Sequence, residues 1–557
     1  MPIHEQLAAG PEFDVIIAGG GTAGCIVAAR LVEADPNLSV LVIEQGPNND
    51  TPTVETPVLF HANIFPETGT NIFYQANESP HLNGRAPLVS SGGVLGGGSS
   101  TNFMMYSRPQ RSDLDAWNMA GWSADDLLPG PIHVSSGTFR STRVQESFIT
   151  AASTLSIPIA SDLFDRETPI GVQRAQRFIS PTGARQDTAT RYLLPLLPTH
   201  TNLHILLRHA VQRIIFSHRR ATAAQLQSGI TVKAKKQIIL STGALGTPLL
   251  LQRSGIGLPS ILSRAGIPLV HALPVREQYL DHNLFYVPYY SSLEEHETLD
   301  ALASGRAEPR EEMLGWNAQD VTCKLRPRED QLGPFASVWA DFVERKDRPM
   351  GLMSLVVANP LLGVEAGAYF AVSAFTAHPY SRGHIFVGSA AGGDGKGGGK
   401  DANKEIDFDA GILKEQVDLE MCKWLYKTQR EIARRMDVYR GEYEAGHPPF
   451  AEGSEAACGR RDGPTTGGEI QYSEDDEKVL EDWLRANVGT TWHSLGTCPM
   501  GKVVDERLRV IGVEGLRIAD LSVCPGNVAA NTGFLAMVVG EKAAALFGED
   551  LGVDLSV

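Results

Sequence analysis

Several features are scarce in this 557-residue chain. No stretch reaches the roughly 18 uninterrupted apolar residues of a membrane-spanning helix, so none is expected. Positive charge is in the minority, with 49 Lys and Arg against 65 Asp and Glu and a formal net charge of −16. With no basic run to offset that balance, a nucleic-acid or anionic-membrane surface is excluded as a leading function. Cysteine is sparse: six residues, at 25, 323, 422, 458, 498 and 524, lack Cys-x-x-Cys spacing and paired histidines. That scatter argues for isolated thiols, against a disulfide framework and against any metal site. Met1-Pro-Ile-His-Glu-Gln has no basic segment leading into an apolar one, and Asp554-Leu-Ser-Val557 is not a Ser-Lys-Leu address. The expectation is an intracellular, cytoplasmic protein. No internal repeat is evident.

Glycine, by contrast, is abundant at 56 residues, and its placement near the N-terminus organises the chain. Phe13-Asp-Val-Ile-Ile-Ala-Gly-Gly-Gly-Thr-Ala-Gly24 reads as a buried strand, Val15 to Ala18, running directly into glycines. From Thr22 to about Ala34 the pattern is helical, and Leu38-Ser-Val-Leu-Val-Ile43 is a second strand that ends on Glu44. Strand, Gly-x-Gly-x-x-Gly turn, helix, strand and acid form a dinucleotide-binding fingerprint. Gly19 makes the tight turn, Gly21 admits a pyrophosphate, and Gly24 lets helix and strand pack closely. Thr22 and Ala23 open the helix, whose free N–H groups suit phosphate. Glu44, 25 residues after Gly19, can accept both ribose hydroxyls.

A second glycine-rich stretch, Val94-Leu-Gly-Gly-Gly-Ser-Ser-Thr-Asn-Phe-Met-Met-Tyr106, places flexible backbone next to large apolar side chains. Such a loop is costly unless backbone lies against something flat or charged, so it reads as cofactor-facing. Asp125-Asp-Leu-Leu128 suggests a helix start. Val211 to Phe216 and Lys236 to Leu240 read as strands, and the latter leads into a helix with Pro248 at N1 and Gly255 as its stop. Gly351 to Val357 and Ala368 to Phe375 suit strands of a large second sheet. Residues 390–399 look like an exposed loop, and Leu413 to Met436 reads as an amphipathic helix. Near the C-terminus, Thr490-Thr-Trp-His-Ser-Leu-Gly-Thr-Cys-Pro-Met-Gly501 sets His493 among small residues. Leu516 to Asp520 reads as a strand ending on an acid, and a helix follows from Gly533 to Phe547. Alone, Asn531 reads as a cap of that helix and His493 as a core histidine.

Taken together, these segments resemble the glucose–methanol–choline (GMC) family of FAD-dependent oxidoreductases, most of all its fungal alcohol (methanol) oxidases. Gly243-Ala-x-x-Thr-Pro-x-Leu-Leu-x-x-Ser-Gly-Ile-Gly257 fits one family signature at every defined position. Gly96 to Tyr106, Gly526-Asn-Val-Ala-Ala-Asn-Thr532 and Gly540 to Gly552 look like the alcohol oxidases. The other signature is met loosely, at Gly93 and Thr101. Residues 128–133, 225–232 and 275–282 also depart from the family pattern, the second as a shortened hairpin.

The resemblance implies an α/β protein, with a Rossmann-type FAD-binding domain and a substrate-binding domain on a large antiparallel sheet. FAD binding would fall to 12–135, 196–285 and 486–552, the last with active-site loops, and substrate binding to 136–195 and 286–485. It implies FAD contacts from Gly97, Thr101, Asn102, Phe103, Met104, Val211, Asp520 and Thr532, besides the fingerprint residues. His493 and Asn531 would act on a small alcohol, His493 as base, with hydride passing to flavin N5 and oxygen or another acceptor reoxidising the flavin. Thr101 precedes Asn102 where some members carry a flavin-tethering histidine, so the FAD is expected to be non-covalent. A dehydrogenase with a non-oxygen acceptor, a hydroxynitrile-lyase-like enzyme and a non-catalytic flavoprotein remain alternatives.

Overall fold

The computed structural model describes residues 3–4, 10–126, 130–168, 170–275, 278–361, 363–365, 367–389, 406–465 and 467–555. Strand Glu12–Ala18 lies in the middle of the first sheet, and its Val15-Ile-Ile-Ala18 run is fully buried. Continuous apolar sequence is what a parallel strand covered on both faces needs. The strand pairs in parallel with Val40–Ile43 on one side and Thr231–Leu240 on the other. The order is Ile3–His4, Leu203–Leu206, Val40–Ile43, Glu12–Ala18, Thr231–Leu240, Arg220–Leu226 and Val211–Ser217.

Strand Thr231–Leu240 changes neighbours along its length. Its first residues pair antiparallel with Arg220–Leu226, and Ile238 to Leu240 pair in parallel with Leu516–Ile518. The hairpin at 225–232 is therefore complete but tight, turning through Gly229 at φ +88°.

Helices Thr22–Ala34 and Gly533–Leu551 lie side by side on this sheet. A Cβ on Gly540 would stand 3.1 Å from Ala23 Cα, so glycine permits the approach. Arg30 then donates to both Glu541 oxygens at 2.9 Å, and Tyr192 donates to Oε1 at 2.7 Å. The contact aligns the two helices so that both begin at the same cleft.

The second sheet is antiparallel. Its order is Tyr439–Glu442, Asn283–Ser291, Tyr369–Thr376, Gly351–Val356, Gln319–Leu325 and Gly171–Arg174, with Gly489–Thr490 also beside Asn283–Ser291. Alternation divides its faces. Phe285, Tyr289 and Phe370 face a layer that includes helix Gln416–Arg434, where Tyr289 donates to Gln429 at 2.8 Å. Leu284, Tyr286, Ser373 and Phe375 face the opposite way, toward the cleft.

One expectation fails instructively. Pro248 is not at N1, because the helix spans Gly243–Arg253 and encloses it. An interior proline deprives the carbonyl four residues earlier of its donor. Here that carbonyl, Ala244 O, accepts from Thr497 Oγ1 at 2.6 Å, so a residue far along the chain supplies the missing bond. Gly255, at φ +84°, follows the helix end as expected. Asp125 lies in a short 3₁₀ turn, Ala124–Asp126, while Leu127, Leu128, Arg276 and the 390–399 stretch fall outside the described residues. Among the described residues no helix is long and apolar enough to cross a membrane.

Thr497→Val keeps the shape but leaves Ala244 O buried without a donor. Chemical denaturation should show a loss of about 1–3 kcal/mol, and unchanged stability would refute this account of the helix.

Candidate active site

A cavity of about 510 Å³ runs between the two sheets, from Glu44 and Val211 at one end to His493, Asn531 and Phe375 at the other. Two glycine turns form its neck. Gly19, at φ +100°, has no room for a Cβ, which would sit 2.3 Å from Ser241 O. A Cβ on Gly97 would stand 2.8 Å from Gly21 Cα, so the turns are in contact. Gly96 N donates to Gly20 O at 2.7 Å, and Thr22 Oγ1 accepts from Ser99 N at 3.1 Å. Helix Thr22–Ala34 has Gly21 as its N-cap and no side-chain capping bond, which leaves its first N–H groups for a ligand.

Glu44 closes the far end. Its Oε2 accepts from Gly20 N and its Oε1 from Gly46 N, both at 2.8 Å. Burial still pushes the carboxyl up to about 7, with those N–H bonds opposing the shift. Asp520 also lines the cavity, accepting from Thr247 Oγ1 at 2.6 Å, Ser522 N at 2.9 Å and Gly243 N at 3.0 Å. In the second glycine loop, Asn102 Oδ1 accepts from Met104 N at 2.9 Å and holds Met104 at φ +59°.

At the other end the side chains determine one another's protons. His282 Nε2 lies 3.0 Å from Val528 O, and a carbonyl can only accept, so Nε2 carries a hydrogen. Burial pushes the His282 ring down to about 3, so it is neutral and its Nδ1 is a bare acceptor. His493 Nδ1 lies 2.8 Å from that Nδ1 and must be the donor. Burial, then the neighbouring His282, also hold His493 well below its ordinary value, so this ring is neutral too. The outcome is an unprotonated His493 Nε2 whose lone pair faces Asn531 Nδ2 at 3.5 Å.

Asn531 is oriented as well. Its Oδ1 accepts from Ser107 Oγ at 3.1 Å, which turns the amide NH₂ toward His493. It does not cap the following helix: the N-cap is Thr532, without a side-chain capping bond. A hydroxyl between the two groups could accept from Asn531 Nδ2 and donate to His493 Nε2.

Gly19, Gly21, Thr22, Ala23, Glu44, Gly97, Thr101, Asn102, Phe103, Met104, Val211, Asp520 and Thr532 all line this cavity, with His493 and Asn531. Gly24 does not. A Cβ there would sit 2.3 Å from Gly19 O, so its place is the tight helix–strand contact and not the cavity wall. The sequence reading missed His282, Asp281, Ser107 and the sheet residues Tyr286, Gln319 and Ser354. No local pattern joins His282 to a histidine 211 positions later. The sheet residues read as ordinary strand positions.

GMC oxidoreductase patterns match residues 13–283 and 394–540. The chain belongs to the GMC oxidoreductase family. It is 33% identical to an alcohol oxidase of Candida boidinii, over 97% of this chain and 95% of that protein. An alcohol oxidase of Komagataella phaffii is likewise 33% identical over 97% and 95%. A formate oxidase variant of Aspergillus oryzae superposes with a TM-score of 0.80 at 19% identity, covering 98% of this chain and 99% of that one, a likeness of fold. Family membership makes this GMC protein an FAD-dependent oxidoreductase acting on CH–OH donors. The cavity fits FAD: touching glycine turns and an uncapped helix N-terminus suit a pyrophosphate, and a buried acceptor pair at Glu44 suits a ribose.

Glu44→Arg replaces that acceptor with a buried cation and should yield protein with little bound flavin. Full flavin absorbance per chain after gel filtration would contradict this placement.

Proposed function

We propose that this GMC protein oxidises a primary alcohol to an aldehyde, with His493 Nε2 as general base and Asn531 holding the alcohol oxygen. The observation that carries the reading is the proton order Val528 O, His282, His493, which leaves a lone pair opposite the Asn531 amide. Gly19 to Ala23, Glu44 and the 97–104 loop would hold FAD, which would supply the hydride acceptor when bound. His493 takes the hydroxyl proton as the carbon loses its hydride, and the C–O bond becomes a carbonyl. Asn531 Nδ2 fixes the oxygen so that a C–H can face the flavin, a positioning effect. Protonated His493 then offers positive charge where oxygen is reduced to peroxide. Likeness to two alcohol oxidases supports oxygen as the acceptor.

His493→Ala should keep its flavin spectrum and slow anaerobic flavin reduction by about 10²–10⁴-fold. Asn531→Ala should slow reduction without lowering the melting temperature, since it caps nothing. Adding it to His493→Ala should cost little more, because both groups bind one hydroxyl. Multiplicative losses in stopped flow would sink the shared-hydroxyl picture. With His493 held below 6.5, the reduction rate should fall only on the acid side of that value. Stability follows a related rule. His282 titrates near 3 when folded and near 6.5 when unfolded, so between these values the unfolded chain binds more protons. Its contribution is therefore lost as pH falls from 6.5.

We also infer that the FAD is non-covalent, because a hydroxyl-bearing Thr101 stands at the tethering position. Acid precipitation should release the flavin into the supernatant, and yellow precipitate would overturn the inference.

A further inference from the structure

Beyond the reacting end, the cavity has a second polar wall that the proposed chemistry does not use. Its geometry follows from the strand register. Leu284 pairs with Phe375, and Phe375 lies beside His493 with ring centroids 5.8 Å apart. Two residues along each strand, on the same face, Tyr286 pairs with Ser373 and Ser373 with Ser354. Two strand residues span about 7 Å. An apolar pair is therefore followed, one step farther from His493, by a row of three hydroxyls. Gln319 lines the same cavity from the neighbouring strand.

Gln319, Ser354 and Ser373 are buried yet under-used, and Tyr286 beside them is half-buried. Gln319, Ser354 and Ser373 are 7%, 7% and 6% exposed. The Gln319 amide and the Ser354 hydroxyl bond no described residue, and Ser373 Oγ only donates, to Ser354 O at 3.2 Å. Tyr286 OH has no described partner, and its phenol is pushed up to about 12 by burial alone. Buried polar groups are ordinarily paired, and leaving several open toward one cavity is costly unless a ligand completes them. A site for methanol alone would need none of them.

We propose that the substrate, on the alcohol-oxidising reading above, is a primary alcohol with a second hydrogen-bonding oxygen at the far end of an apolar spacer. The hydroxymethyl end meets His493 and Asn531, the spacer crosses Leu284 and Phe375, and the second oxygen bonds Tyr286, Ser373, Ser354 or Gln319. The chemical step is unchanged, and the far wall acts by binding and orientation.

The aliphatic pair pentane-1,5-diol and hexan-1-ol tests this, since one carries a methyl where the other carries the second hydroxyl and the reacting carbons are electronically alike. Wild-type holoenzyme should favour the diol in kcat/KM for flavin reduction by at least ~10-fold, with methanol poorer than both. Tyr286→Phe should shrink that ratio toward one, and Ser373→Ala provides a second, smaller deletion. Flavin content and melting temperature confirm that each variant is folded. In dithionite-reduced holoenzyme, which cannot turn over, the diol should raise the melting temperature more than hexan-1-ol, and the difference should vanish in Tyr286→Phe. Equal use of diol, hexan-1-ol and methanol overturns the substrate class and leaves alcohol oxidation standing. Failure of all three, and of benzyl alcohol, to bleach the flavin anaerobically overturns both.

Discussion

The buried carboxylate of Asp281 is the constraint on which the reacting end depends. It sits just before strand Asn283–Ser291 of the antiparallel sheet and binds both chain segments that carry the histidines. Its Oδ1 accepts from His282 N at 2.7 Å, Thr491 Oγ1 at 2.7 Å and His493 N at 3.1 Å, while Oδ2 accepts from Tyr279 OH at 2.9 Å. Asn527 Nδ2 reaches the Asp281 carbonyl at 3.0 Å, so the segment that leads to Asn531 is tied to the same residue. Burial raises the Asp281 carboxyl, and these donors oppose the rise. Three loops distant in sequence are thus tied to one residue, the Asn527 segment through its carbonyl and the others through its side chain. Its hydrogen bonds leave little freedom in how the two imidazoles meet.

That arrangement explains what the sequence could and could not convey. The dinucleotide fingerprint is local: strand, turn, helix and acid are contiguous, and each glycine answers a clash that can be stated in advance. The two sheets were likewise legible as apolar runs, Val15 to Ala18 in the first and Ala368 to Phe375 in the second, while the antiparallel order of the second was implied by the family resemblance. The failures are all long-range. Pro248 was placed by a local rule, and the rule lost to Thr497, a donor that only the folded chain brings near. Taken alone, Asn531 carries a cap's residue type at a cap's position, but its amide is claimed by Ser107, and only the family resemblance pointed it toward the cavity. His282 has no periodicity or motif that reveals its partner.

Two layers of the same protein also divide labour by elementary geometry. The parallel sheet ends in helix N-termini and glycine turns, which supply backbone N–H groups and no side-chain variety. The antiparallel sheet offers alternating side chains, one face toward the helix layer and the other toward the cavity. On the proposed reading, the pyrophosphate site resides in backbone shape, with the Glu44 carboxylate beside it, and substrate choice resides in the cavity-facing side chains. On that reading, changing Tyr286, Ser354 or Ser373 would leave the glycine cradle untouched and let substrate preference vary on a constant flavin site.

On the proposed alcohol oxidation, His493 is a base held well below its ordinary pKa and looks poorly suited to an alcohol proton, which is bound far more tightly than imidazole could ever match. The difficulty disappears when the proton and hydride losses are considered together. As the hydride leaves carbon, the oxygen approaches a protonated carbonyl and its proton becomes strongly acidic, so even a weak base suffices. What the site must guarantee is that Nε2 is free of a proton when substrate arrives. Burial accomplishes this, and the His282 hydrogen bond assigns the one ring proton to Nδ1. The His493–His282 pair thus gives up basicity, which the reaction supplies at its own transition state, and gains a defined tautomer, which the reaction cannot supply.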